Sequence, residues 1–193
     1  MAMEDMSSKV GRMLAEALDI SGARRLLDVG GGSGVVARVL AEQTPGLEAV
    51  ILDQPLVLKI AQELCASSPA ASQIGTHVAD YNEDEFPKGF DVLILSNIIH
   101  INGFNACQKL MHKAYKALNP GGQAVVIDFY LDDGKQGPLF ANIFGIACSL
   151  LSPKGATYSW EETEGWLREA GFDEVKRMAL TEITGCVVGR KAR

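Results

Sequence analysis

Three carboxylates and one imidazole stand out by where they fall along the chain. Asp28 closes an apolar run and is followed by Gly30, Gly31, Gly32 and Gly34, interrupted only by Ser33. Glycine has no Cβ, so such a turn lets backbone N–H groups approach a ligand closely. The spacing then discriminates between ligands. A pyrophosphate-binding G-x-G-x-x-G places its third glycine at position 35, but that position is Val35 and the glycine comes one residue early. Asp53 ends the next apolar run, about 20 residues on, where a carboxylate can accept both hydroxyls of a ribose. Asp80 ends the one after, with the flat ring of Tyr81 beside it. A lone Asp at a strand end is ordinarily a turn cap. Two acids ending successive strands beside a glycine loop instead read together as a nucleoside site. His100 directly follows Ser96-Asn97-Ile98-Ile99, just after a fourth apolar run. Its imidazole titrates near neutrality and can take a proton from an attacking hydroxyl; the plainer reading is a cap on the next helix. His77 reads as a packed strand residue and His112 as solvated surface.

These groups need a scaffold, and the hydrophobic pattern supplies one. Residues 25–29, 48–52, 76–79, 90–95 and 124–129 are short β-rich runs. Between them lie segments with helical period: Val36, Val39, Leu40 and Gln43; then Leu56, Val57, Ile60, Ala61 and Leu64; then Cys107, Leu110, Met111, Ala114, Tyr115 and Leu118. Pro55 suits the first turn of its helix, where a missing N–H costs nothing. An apolar helix follows at 138–151. Ser159-Trp160-Glu161-Glu162 forms a capping box for a helix with Thr163, Trp166, Leu167 and Ala170 inward and Gly171 as its left-handed stop. Strands at 175–180 and 186–189 close the chain, and an amphipathic helix over 3–20 precedes the first strand. Alternating strands and helices predict an α/β fold: a Rossmann-like, mostly parallel seven-stranded sheet with helices on both faces. Ligands in such sheets bind outside the carboxyl ends of the strands.

The segment Leu27-Asp28-Val29-Gly30-Gly31-Gly32-Ser33-Gly34 resembles motif I of class I S-adenosylmethionine-dependent methyltransferases. Asp53-Gln54-Pro55, Gly75-Thr76-His77-Val78-Ala79-Asp80, Ile98-Ile99-His100, Leu118-Asn119-Pro120-Gly121-Gly122 and Tyr158-Ser159-Trp160-Glu161-Glu162 occur in the order of small-molecule O-methyltransferases of the plant caffeate and bacterial antibiotic-tailoring types. The resemblance implies transfer of a methyl group from S-adenosylmethionine, leaving S-adenosylhomocysteine, to a hydroxyl of a small, aromatic molecule. It implies His100 as general base, with Asp28, Gly30, Gly31, Gly32, Asp53, Gln54, Asp80, Tyr81 and Ser96 around the cofactor. Phe140, Ile143 and Phe144 would wall the substrate pocket, and no metal is implied. Three positions depart from the family pattern: Asn102 replaces a Trp, Ser96 a Lys, and Thr157 an acid that orients the base. Asp128 is the nearest candidate for a substitute. A non-catalytic or N-/C-directed S-adenosylmethionine-binding domain is the alternative. A nicotinamide-dependent oxidoreductase is opposed by Val35 and by the lack of a Tyr-x-x-x-Lys pair.

Composition limits the partners. The 193 residues carry 18 Lys+Arg against 24 Asp+Glu, a net charge of −6, which does not suit phosphate neutralisation, so no nucleic acid is expected. The 47% hydrophobic and 22% charged content is that of an ordinary globular domain. Cys65, Cys107, Cys148 and Cys186 are far apart, predicting free, buried thiols in a reducing cytoplasm. The first residues carry acid and no apolar stretch, and 138–151 is shorter than the ~20 residues a membrane span needs, so no membrane association is expected. The expected organisation is a helix over 1–20 leading into a catalytic domain over 21–193. This expected organisation omits the helical N-terminal dimerisation domain usual in the family, so a homodimer or a missing N-terminal domain is the expected partner of the exposed apolar helices.

Overall fold

The computed structural model describes residues 2–193; Met1, counted in the N-terminal segment, lies outside the described residues. Seven strands form one sheet: β1 (Arg25–Val29), β2 (Glu48–Asp53), β3 (Ile74–Val78), β4 (Phe90–Ser96), β5 (Leu118–Asp128), β6 (Glu174–Ala179) and β7 (Gly185–Arg190). Their spatial order is β3-β2-β1-β4-β5-β7-β6. β1 to β5 are mutually parallel, whereas β7 runs antiparallel to both β5 and β6. The connection from Ala179 to Gly185 is too short for a crossover, so β6 and β7 can only form a hairpin. The expected α/β class, sheet and strand number are those observed.

Alternation along the central strands feeds two cores. On β1, Leu26 faces one core while Leu27 and Val29 face the other; on β4, Val92 and Ile94 oppose Leu93 and Leu95; on β5, Val125 and Ile127 oppose Ala124 and Val126. One face is covered by α1 (Ala2–Ala17), α2 (Val35–Gln43) and α3 (Pro55–Cys65). The other is covered by α4 (Phe104–Ala117) and α6 (Trp160–Ala170). α1 is built into the core: Val10, Leu14 and Leu18 are buried, and Gly11 lets the helix approach Val39. Its described apolar face is therefore covered, contrary to the expected exposure.

Several helix readings shift by a residue or two. α3 buries Leu58, Ala61 and Cys65, not Leu56 and Ile60, which are exposed. Gln43 is exposed at the end of α2, and His77 is exposed on the edge strand rather than packed. On α6 the capping box is formed in both directions by Ser159 and Glu162, and Gly171 (φ 105) stops the helix. All four cysteines are free and buried.

The apolar helix α5 (Leu139–Leu151) carries the exposed apolar area expected of it. Its inward stripe is small: Ala141 and Cys148 are buried, and a Cβ on Gly145 would collide with Thr157. Its large residues point outward, with Leu139, Ile143, Ile146, Leu150 and Leu151 each more than half exposed. Small residues seat the helix closely on the loop below, and that choice turns the bulky ones to solvent.

Candidate active site

β1 and β4 are neighbours whose following connections leave in opposite directions across the sheet, so a crevice opens at their carboxyl ends. A cavity of about 550 Å³ lies there, lined by Asp28, the glycine loop, Asp53, Tyr81, Ser96 and Ile98. The loop geometry explains its composition. Gly30 (φ 62) has Ile98 and Tyr81 so close that an added Cβ would stand 2.4 Å from the Ile98 Cδ1. Gly32 (φ 57) has open space where a Cβ would be, so its peptide presents an unobstructed edge to the cavity. The N–H of Gly32 donates to Asp53 Oδ2 at 2.9 Å, and Gln54 N–H donates to Oδ1 at 2.7 Å. The second-strand acid is thereby held against the loop by backbone donors.

Asp28 is 1% exposed; its Oδ2 accepts from Ala37 N–H at 3.3 Å, while Oδ1 is buried with no partner. Burial pushes its carboxyl up to about 7; the Ala37 N–H opposes this and the Asp53 charge adds to it. The raised value means the folded state holds the proton between about pH 4 and pH 7 while the unfolded chain has lost it. Stability contributed by this group is thus full below pH 4 and lost as pH rises through 7. From pH 5 to 8 the wild type should lose roughly 2–3 kcal/mol more than Asp28→Asn. Urea unfolding of both at the two pH values measures this, and parallel losses would show that Asp28 is not the titrating group.

His100 sits beside this cavity rather than among its lining residues, on a short 3-10 turn, Ile99–Ile101. Its Nδ1 lies 2.9 and 3.0 Å from the two carboxylate oxygens of Asp128, which is 1% exposed at the end of β5. Asp128 also accepts from Phe129 N–H at 2.8 Å and His100 N–H at 3.3 Å. The carboxylate makes Nδ1 the donor and leaves the basic lone pair on Nε2. Asp128 is therefore the group that orients the ring. Thr157, at the position of the family's orienting acid, turns away and donates to Ala141 O at 3.1 Å, tying the loop to α5. Around the imidazole stand aromatic rings: Phe144 at 4.9 Å edge-on, with Phe129 and Phe140 behind it.

The predicted residues thus divide. Asp28, Gly30, Gly31, Gly32, Asp53, Tyr81 and Ser96 converge on the cavity. Asp80 does not line it; it lies in the adjoining groove with Asn82 and Asn102, and Ile101 borders both spaces. Gln54 is exposed at the N-cap of α3 and does not line the cavity. Phe144 and Phe140 reach the aromatic cluster, whereas Ile143 points to solvent on the far side of α5. Sequence reading missed Asn97, which lines the cavity with φ 59. An asparagine directly after an apolar strand was the available signal, because Asn tolerates the left-handed region. Among the described residues no cluster of three or more His, Cys, Asp or Glu could hold a metal, and no helix is long and apolar enough to cross a membrane.

The residues present suit a nucleoside-bearing cation: an orphaned buried Asp28 oxygen in the cavity wall, an open glycine edge, and a pinned Asp53. The family model of the O-methyltransferase domain matches residues 1–173. The chain is 35% identical over 188 residues to 3-hydroxy-5-methyl-1-naphthoate 3-O-methyltransferase of Streptomyces sahachiroi, covering 96% of this chain and 54% of that protein. It is 32% identical over 172 residues to L-tyrosine C(3)-methyltransferase of Streptomyces lavendulae, covering 89% and 47%. The human N-acetylserotonin methyltransferase structure in complex with SAM superposes with a TM-score of 0.87 at 26% identity, covering 100% and 54%. The chain spans about half the length of the relatives it matches.

Proposed function

This chain belongs to the O-methyltransferase domain family, whose cofactor is S-adenosylmethionine, and from that premise we propose that it methylates a hydroxyl of a small aromatic molecule with His100 as general base. The observation that carries the reading is the Asp128–His100 pair, held at 2.9 Å beside the cavity and walled by Phe144. Bound S-adenosylmethionine would supply an electrophilic methyl group, so the chain's own task is to align an oxygen and remove its proton. Asp28, Gly30, Gly31 and Gly32 would hold the amino-acid portion, Asp53 the ribose hydroxyls, and Asp80 with Tyr81 the adenine. Ser96 borders the same space. The Phe129, Phe140 and Phe144 rings favour a flat apolar acceptor over a sugar or a peptide. Four buried free thiols support a cytoplasmic setting.

Calorimetric titration with S-adenosylhomocysteine and with NAD tests the cofactor site, with the first expected to bind and the second not. Asp53→Ala should weaken S-adenosylhomocysteine by about 1.5–3 kcal/mol, the range for hydrogen bonds to a charged group. Tighter binding of NAD would end this reading. NMR of the methylated product separates an O-methyl ether from a C- or N-methyl product.

We also propose that the outer face of α5 is covered by a second copy of the chain. Five large apolar side chains more than half exposed on one helix are unusual on a monomer, and the face is continuous with the aromatic wall through Phe140. Light scattering should give a dimer that Ile146→Glu with Leu150→Glu dissociates. A monomeric wild type would overturn this.

A further inference from the structure

Lys113 is a long cation at the margin of α4's buried stripe, between Leu110 and Ala117, and it is only 9% exposed. Its ammonium donates to three backbone carbonyls of one turn: Tyr81 O at 3.0 Å, Asn82 O at 2.8 Å and Asp84 O at 2.8 Å. An ammonium has three donors, and all three are used here on a segment of four residues. The Phe86 ring stands 5.6 Å away, where its face also attracts a cation. The turn's own donors point the other way. Asn82 N–H donates to Asp80 Oδ1, Asp80 N–H to Asp84 Oδ2, and the N–H groups of Glu83 and Asp84 to Asp80 O. The inward N–H groups are therefore satisfied within the turn, and the carbonyls left over converge on Lys113.

This turn carries Tyr81 into the cavity wall and sets Asp80 in the groove beside it. We infer that Lys113 is a positioning residue for the adenine end of the cofactor site: by gathering the carbonyls of residues 81, 82 and 84, it fixes where the Tyr81 ring and the Asp80 carboxylate stand. Without it, three carbonyls lose a buried charged donor, and the turn can relax into water by the ångström-scale shift that costs affinity. The inference rests on the reading of Asp80 and Tyr81 as adenine contacts.

The test is calorimetric titration of S-adenosylhomocysteine into the wild type, Lys113→Met, Lys113→Arg, Tyr81→Ala, Asp80→Asn and the double variant Lys113→Met/Tyr81→Ala. Lys113→Met should raise Kd by ~10-fold with unchanged stoichiometry, and Lys113→Arg should recover most of that loss. The double variant should lose less than the sum of the two single losses, because Lys113 acts in part through the Tyr81 ring. Amide hydrogen exchange at Asn82, Glu83 and Asp84 should quicken in Lys113→Met. Three results overturn the inference. One is an unchanged Kd in Lys113→Met while Tyr81→Ala weakens binding. Another is a reduced binding stoichiometry at unchanged Kd, which marks a merely structural role. The third is additive losses in the double variant. If Tyr81→Ala and Asp80→Asn both leave Kd unchanged, the adenine reading itself has failed, and the inference falls with it.

Discussion

His100→Ala should lower turnover on a cognate phenol by ~10²–10⁴-fold, the range removed with a general base, while leaving affinity for S-adenosylhomocysteine almost intact. The separation of effects follows from placement: the imidazole lies beside the cavity and is not one of the residues that line it. His100→Gln keeps a hydrogen-bonding group without basicity and should be nearly as poor. Loss of cofactor binding together with activity would make His100 structural. Full turnover in His100→Ala would leave alignment alone as the source of rate, and the base assignment would be wrong.

The next largest effect is expected from Asp128→Asn, at ~10²–10³-fold in turnover with little change in cofactor affinity; wrong-tautomer substitutions in other His–Asp pairs cost up to ~10⁴. The carboxylate accepts from the ring Nδ1 and from two backbone N–H groups at once. An amide has one acceptor oxygen for these three donors, so the variant must either turn its NH₂ toward the ring or abandon a backbone N–H. The first choice makes Nδ1 the acceptor and moves the proton to Nε2, where it blocks base action. Thr157 offers no second acid, since its hydroxyl is committed to Ala141 O. Steady-state rates with calorimetric titration of S-adenosylhomocysteine check both halves of the expectation. Unchanged turnover in Asp128→Asn would show that the ring is held by its aromatic neighbours instead.

Residues 25–53 show how much was legible and why. A five-residue strand, Arg25 to Val29, carrying Asp28 and followed by a glycine loop reads as a buried strand meeting a helix through a tight turn, and the positive φ at Gly30, Gly32 and Gly34 is the conformation glycine permits. Asp53 could be placed at the same crevice because parallel strands put successive carboxyl ends side by side. The α/β class, the seven strands, the capping box of α6, and a cavity built on Asp28, Gly30 and Asp53 were therefore determined by the sequence itself, through local periodicity and turn chemistry.

What the chain could not declare locally depends on pairs distant in sequence. His100 and Asp128 are 28 residues apart and meet only because β4 and β5 are neighbours. Lys113 is buried only because the turn after β3 presents carbonyls to α4. Gln54, adjacent to the cavity residue Asp53, is exposed at the N-cap of α3 and does not line the cavity. On α5 an all-apolar run gives no period that marks the inward side, and the resemblance sets Ile143 beside Phe140 and Phe144. The close fit of Gly145 against Thr157 selects the small stripe instead, and Ile143 goes to solvent with the rest. Local pattern can specify an element and its ends, but which face turns inward and which acid meets which base are set by what packs against them.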